Sequence, residues 1–385
     1  MIGAMPLLSR QRGPIALYGA TGYTGKLTAA ELKRLDADFV ISGRNRDKLE
    51  ALRDELGGDV AVRPAALDEP GALRELLADC AAVIDCAGPF LLHGEPVLRA
   101  AVETETHYLD TTGEQTYMKL AFETYGPQAE RAGTVVIPAM GFDYVPGDML
   151  AALTAEGMGE VDDVTLAYAP SGFKATRGTA LSAIETYKGG SVEWRKLQWL
   201  PAPGGLATSS FDFGEPLGRR KMASYPAGEQ ITVPRHVPTR RVRTLLTLST
   251  VAPGPFGTLA GLLSRPTKLA LRTPLRKALG VAISRLPEGP DPEDRAAAKF
   301  TIVCEVTRGR TQRRGIVTGS DVYGLTAASI AEGALTAAKG GISSSGALAP
   351  SQAFAPARFL EKLRRFDVAW SVEEPTEVRE PVPAS

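Results

Sequence analysis

The chain is poor in the residues that build metal centres and disulfide frameworks, with 3 cysteines and 3 histidines among 385 residues. Cys80, Cys86 and Cys304 follow no metal-ligand spacing and form no even-numbered disulfide set. They are expected to be small buried apolar side chains in a reducing compartment. His93, His107 and His236 are too scattered for a ligand cluster, so no metal is expected. No GxSxG elbow, no HExxH and no YxxxK pair stands at a useful distance. Lys plus Arg and Asp plus Glu both number 44, so no net field invites nucleic acid. No apolar run is long enough to cross a bilayer. The opening MIGAMPLLSRQRG has too short an apolar stretch for a secretory signal. A cytoplasmic chain is expected, long enough for two domains.

What is there begins at 14–25, PIALYGATGYTG. An apolar run at 15–18 of the kind that makes a buried parallel strand breaks into Gly19, Ala20, Thr21, Gly22, Tyr23, Thr24 and Gly25, and a helical pattern follows near Lys26. Strand, glycine turn and helix in that order suit a dinucleotide diphosphate. Gly19 permits the tight turn and Gly22 lets backbone N–H groups approach the phosphates. Gly25 lets the helix pack close to the sheet. The helix N-terminus offers unpaired N–H groups and the positive end of its dipole. The spacing is GxxGxxG rather than GxGxxG, so context carries the assignment.

Further units repeat the pattern: strands at 39–41, 60–62, 82–86 and 134–137 alternate with helices at 27–35, 47–56, 70–78, 95–102 and 117–132. That alternation predicts an α/β doubly wound parallel sheet of the Rossmann kind. Its ligands bind at the carboxyl ends of strands. Beyond the second strand stand Ser42, Arg44 and Asn45, with Lys48 a turn later. An NAD site would place Asp or Glu there, whereas a guanidinium suits a 2′-phosphate. NADP(H) is therefore expected, the alternative being that Arg44 merely solvates a loop. Asp68 is expected to cap the helix after Pro70 and border the adenine. Cys86, Ala87, Gly88 and Pro89 form a small-residue turn for the nicotinamide ribose, and Gly141 and Phe142 lie in the last loop of the cleft. Proton donors are sought among Tyr108, Asp110, Glu114, Asp143 and Tyr144, all expected at the cleft mouth. Asp110 and Glu114 can equally cap helices.

Five segments, GATGYTG, SGRNRDKL, IDCAGPFLLHGEPVLRAAVE, HYLDTTGEQ and AMGFDYVPGDML, together resemble the saccharopine dehydrogenase-like oxidoreductases, most of all the branch that includes trans-acting enoyl reductases. The resemblance is dense over 14–150 and resumes near 178–179, 319–338 and 346–356. It implies an NADP-linked Rossmann domain over 14–150, joined by returning helices at 322–370. It also implies an α+β domain over 151–321 that carries a mostly antiparallel sheet and the substrate side. Flexible tails are expected at 1–13 and 371–385. The implied activity is hydride transfer from NADPH to an enoyl, imine or keto group. The alternative is a non-catalytic NADP(H)-binding scaffold or redox sensor.

In the second half, strands are expected at 164–169, 225–233 and 242–250, with a hairpin at 299–307 and 312–320 around Arg308-Gly309-Arg310. A helix should start after Arg177-Gly178-Thr179. Residues 252–286 carry Arg265, Lys268, Arg272, Arg276, Lys277 and Arg285 beside a leucine-rich face broken by Pro266 and Pro274. Such a segment can lie on an anionic membrane, cover an acyl-chain pocket or pack on its own sheet. Packing on its own sheet is the first expectation and peripheral membrane contact through 252–286 the alternative, while the segment points to an acyl/lipid-like rather than only a small substrate. Saccharopine itself would want a cluster of cations, for which Lys174, Arg177, Lys188 and Arg195 are candidates. A homodimer is a further expectation.

Overall fold

The computed structural model describes residues 13–182, 190–203, 207–251 and 287–377. Two sheets organise them. The first has seven parallel strands in the order β15-β6-β5-β4-β1-β2-β3. Its members are β1 (Ile15–Tyr18), β2 (Phe39–Ser42), β3 (Ala61–Val62), β4 (Ala82–Asp85), β5 (His107–Asp110), β6 (Val135–Ile137) and β15 (Gly346–Ala347). The order reverses at β1, because the chain winds outward through β2 and β3 and then restarts at β4 on the other side. The crevice at that reversal is where an open α/β sheet takes its ligand.

Strands β1, β2, β4 and β5 are buried at every position. Continuous apolar runs such as IALY and the AVI of β4 follow from helices covering both faces. The helices are α1 (Tyr23–Arg34), α2 (Arg46–Glu55), α3 (Pro70–Leu77), α4 (Phe90–Glu103), α5 (Gln115–Leu120), α6 (Gly126–Ala132) and α7 (Val145–Ala155). Helix α1 starts three residues before the expected Lys26 and buries Gly25, Thr28, Ala29 and Leu32, a stripe at helical spacing. The helix expected over 117–132 is split by a π-turn at Ala121–Tyr125. Strand β5 comes from HYLD, where polar residues hide the strand pattern. Asp68 does not cap α3: the N-cap is Glu69 and no side chain bonds there, Pro70 having removed one of the donors.

The second sheet has ten strands along the path β10-β11-β12-β7-β13-β14-β16, with β8, β9 and β17 beside it. Its strands are β7 (Val161–Ser171), β8 (Val192–Arg195), β9 (Gln198–Pro201), β10 (Thr208–Asp212), β11 (Arg219–Ser224), β12 (Thr239–Thr247), β13 (Lys299–Arg308), β14 (Thr311–Ser320), β16 (Ala369–Val372) and β17 (Thr376–Glu377). The expected hairpin is β13–β14. The sheet is mixed, because β12 pairs parallel with β7.

Three expectations are corrected. Residues 225–233 are not a strand: Pro226 and Gly228 end the extended chain, and a buried helix spans Glu229–Thr232. The strand expected to reach 250 ends at Thr247 and turns into a helix at Leu248–Val251. Residues 371–377 of the expected tail are not free, since β16 and β17 pair antiparallel with β14, and 378–385 lie outside the described residues. Residues 1–12, the segment 252–286, and 183–189 of the helix expected after Thr179 lie outside the described residues. No described helix is long and apolar enough to cross a membrane.

The helix Val322–Ala338 packs on α1, β4 and β5. Asp321 starts it by accepting the Gly324 N–H at 2.9 Å. Phe142 stands between the sheets, its ring 4.7 Å from Phe300 and 6.4 Å from Tyr168. One apolar cluster runs through both sheets, from Leu17 and Ile84 to Phe300 and Val317.

Candidate cofactor and substrate cleft

Gly19 has φ +74°, and a Cβ there would lie 2.9 Å from Ala87 N. The turns after β1 and β4 therefore touch backbone to backbone. A Cβ on Gly25 would meet the Ala20 backbone at 2.8 Å, which is why the helix can sit so close to the turn. Gly22 is the N-cap of α1, and the first i→i−4 bond runs from Lys26 N–H to Gly22 O at 2.9 Å. The N–H groups of Tyr23, Thr24 and Gly25 thus stand without intrahelical partners, as a helix start requires. Thr21 is half-buried in the same turn. The Tyr23 side chain turns away, donating to Pro290 O at 2.7 Å and meeting Tyr323 edge-on at 5.4 Å.

Beyond β2, Arg44 and Lys48 are exposed. Asn45 is committed to capping α2, accepting the Lys48 N–H at 2.9 Å. The Ser42 hydroxyl is buried and donates to Arg63 O at 2.6 Å, so it is not available to a ribose. Asp68 is exposed in a turn. After β4, Ala87 donates its N–H to Asp85 Oδ1 at 2.9 Å, Gly88 is exposed and Pro89 is buried. Burial pushes the Cys86 thiol up, so the group is inert at neutral pH. Burial also raises Asp85 to about 8 against the pull of the Ala87 N–H.

The proton-donor candidates separate. Tyr108 is not at the cleft mouth. It is fully buried, its hydroxyl 2.8 Å from that of Tyr117 and 3.4 Å from Asp85 Oδ2. In β5 its side chain points below the sheet, on the face opposite its neighbours Leu109 and His107. Asp110 is also fully buried. Its Oδ1 accepts the N–H groups of Thr112 at 2.8 Å and Ala139 at 3.0 Å, tying the end of β5 to the loop after β6. Burial raises its carboxyl to about 7 against those bonds. Both belong to the scaffold. Glu114 caps α4, and the Tyr144 hydroxyl donates to Gly113 O at 2.9 Å.

Asp143 is different. It is solvent-exposed at a recess of roughly 70 Å³ lined also by Thr24, Thr111, Phe173, Thr179 and Tyr323. Protein surrounding the recess raises its carboxyl to about 6 by desolvation. It is the sole ionisable carboxylate among the described lining residues. The backbone of Gly141 and Phe142 forms one wall, fixed by the Phe142 N–H donating to Thr326 Oγ1 at 2.9 Å. Phe173 stacks on Tyr323 at 5.9 Å, and the Tyr323 hydroxyl accepts the Thr176 N–H at 2.9 Å. Sequence reasoning missed Phe173, Tyr323 and Thr326. The aspartate that starts the helix at 322 was a usable sign for Tyr323, whereas nothing local marks Phe173.

The expected cation cluster does not assemble. Lys174 pairs with Asp294 at 2.6 Å, Arg177 with Glu288 at 3.4 Å and Arg195 with Glu193 at 3.3 Å, each separately. Lys188 lies outside the described residues. No group of His, Cys, Asp or Glu able to hold a metal occurs among the described residues.

A glycine turn and an open helix N-terminus at the reversal point of a parallel sheet define a dinucleotide-binding α/β protein. Comparison with known proteins narrows this. The model of the saccharopine dehydrogenase NADP binding domain matches residues 15–137, so this part of the chain is similar to that NADP-binding domain. The chain is 33% identical over 162 residues to a trans-acting enoyl reductase of Mycobacterium ulcerans, covering 40% of this chain and 39% of that protein. It is 28% identical over 206 residues to the saccharopine dehydrogenase-like oxidoreductase of Homo sapiens, covering 48% of each. The matched stretch spans less than half of either relative. The fold as a whole is similar to apo histidine-tagged saccharopine dehydrogenase (L-Glu forming) from Saccharomyces cerevisiae. That likeness has a TM-score of 0.57 at 12% identity and covers 95% of this chain and 100% of that one.

Proposed function

We propose that the protein is an NADPH-dependent oxidoreductase that delivers hydride to an enoyl, imine or keto group of a small or acyl-chain substrate. One observation carries the reading: the open N-terminus of α1, the exposed Arg44 and the Asp143 recess all lie at the carboxyl ends of strands of one parallel sheet. In this reading residues 14–150, with the returning stretch 322–370, hold the cofactor, and 151–321 supply the substrate side. The main chain from Gly19 to Gly25 cradles the diphosphate. Arg44 and Lys48 take the 2′-phosphate, and 86–89 with 141–142 border the nicotinamide. When bound, NADPH supplies the hydride.

The chain's own residues orient and protonate. Asp143, raised to about 6, gives a proton to the atom that becomes electron-rich on hydride arrival. The threonines of the recess can hydrogen-bond a carbonyl or imine. With no Lys or Arg among the described lining residues, a substrate bearing several carboxylates fits poorly. The test is stereospecific loss of label from C4-labelled NADPH on adding enoyl thioesters, imines and ketones in turn. Turnover of one class supports the reading. NADPH that binds and is never oxidised by any of them overturns it.

A further inference from the structure

We infer that Glu114 is a positioning residue for the nicotinamide half of the cofactor, holding the loop after β4 and joining it to Ser182 of the 151–321 stretch. This rests on the cofactor reading above. Glu114 is fully buried. Its Oε1 accepts the Phe90 N–H at 2.8 Å and the Ser182 hydroxyl at 2.9 Å, and its Oε2 accepts the Leu91 N–H at 2.8 Å.

Phe90 and Leu91 open α4, whose N-cap Pro89 offers no side-chain cap. A carboxylate from 24 residues downstream therefore occupies the place where this helix would take an anion. With α4 so filled, the open start of α1 is left for the diphosphate. The same carboxylate fixes the loop that ends at Pro89. That loop is wedged against the glycine turn, where a Cβ on Gly19 would lie 2.9 Å from Ala87 N. Across the cleft, a Cβ on Gly88 would stand 3.6 Å from Ser182 Oγ. A displacement at Glu114 is thus transmitted to the loop and to the helix bearing Ser182. The adenosine end, beyond β2, makes no use of it.

The experiment compares NADPH with adenosine 2′,5′-bisphosphate, which carries the adenine half alone, by direct titration of the full chain and of Glu114→Gln. The Gln amide keeps one acceptor oxygen and turns an N–H donor towards the donors that remain. Losing a charged hydrogen bond should raise the NADPH dissociation constant about tenfold. Bisphosphate affinity should stay within about twofold, because its contacts are elsewhere. Ser182→Ala should show the same split to a smaller extent, and serves if the Gln variant does not fold. Unchanged NADPH affinity in the folded variant, or equal weakening of both ligands, overturns the inference. An unaltered chain that binds neither nucleotide overturns the cofactor reading, and this inference with it.

Discussion

His236 and Asp148 meet inside the protein, with Nε2 2.8 Å from Oδ1. Asp148 is fully buried in α7, and its other oxygen accepts the Ser351 N–H at 2.9 Å. One carboxylate thus ties α7 to the short helix at 233–235 and to the returning C-terminal stretch. Burial alone would raise its pKa. Attraction to His236 and the hydrogen bonds from the His236 ring and the Ser351 N–H outweigh burial and hold it below the ordinary 3.8. A depressed folded value means the carboxylate's contribution is complete above the unfolded pKa and lost as pH falls through the folded one. Stability in urea should therefore drop on acidification below about pH 4. Asp148→Ala should cost about 3–5 kcal/mol at neutral pH and flatten that acid limb. A variant as stable as the parent would show that the pair holds nothing.

The glycine turn predicts a local effect of a different kind. Gly19→Ala places a Cβ against the Ala87 backbone in a conformation, φ +74°, that L residues rarely adopt. The expected loss is about 1–3 kcal/mol, together with weaker NADPH binding as the turn shifts. Thermal unfolding and nucleotide titration on the same sample measure both. Gly58→Ala, at φ +90° with open space around it, serves as the comparison. It carries the backbone strain without the clash, so it should leave NADPH affinity alone.

The parallel sheet was legible because its signals are local. IALY followed by GATGYTG needs only a few residues to declare strand, turn and helix. The cleft's position followed from the rule that ligands sit at the carboxyl ends of strands. What failed depended on partners far along the chain. Tyr108 reads as a polar residue near a cleft, yet period-two alternation in β5 sends it beneath the sheet to Tyr117. Glu114 looked like a cap for the helix that follows it, but it bonds the start of α4, which follows the neighbouring strand β4. The stretch after 371 reads as Pro- and Glu-rich, and for residues 371–377 pairing with β14 supplied order that composition could not reveal. Phe173 and Tyr323 meet across about 150 residues of chain, beyond any spacing rule.

Arg44 carries the prediction for cofactor choice. It is exposed just past the end of β2, where a 2′-phosphate would lie. Arg44→Asp removes the bidentate donor and adds a carboxylate suited to ribose hydroxyls. The ratio of NADPH to NADH affinity should fall at least about tenfold. Because Arg44 is on the surface, the unfolding midpoint should barely move. An unchanged ratio would place the phosphate elsewhere, with Lys48 the next position to reverse.

Asp143 yields the prediction closest to chemistry. Desolvation raises its carboxyl to about 6, and a proton donor must be protonated to act. The rate per encounter, kcat/KM, should therefore be highest below pH 6 and decline tenfold per unit above it. Asp143→Asn keeps the size of the side chain but holds no transferable acid. Its activity should fall by about 10²–10⁴-fold and lose the limb near pH 6, while NADPH affinity stays as it was. Should the limb persist in the Asn variant, another group donates the proton. Should the rate be unaltered as well, solvent supplies it, and the recess serves to orient the substrate rather than to protonate it.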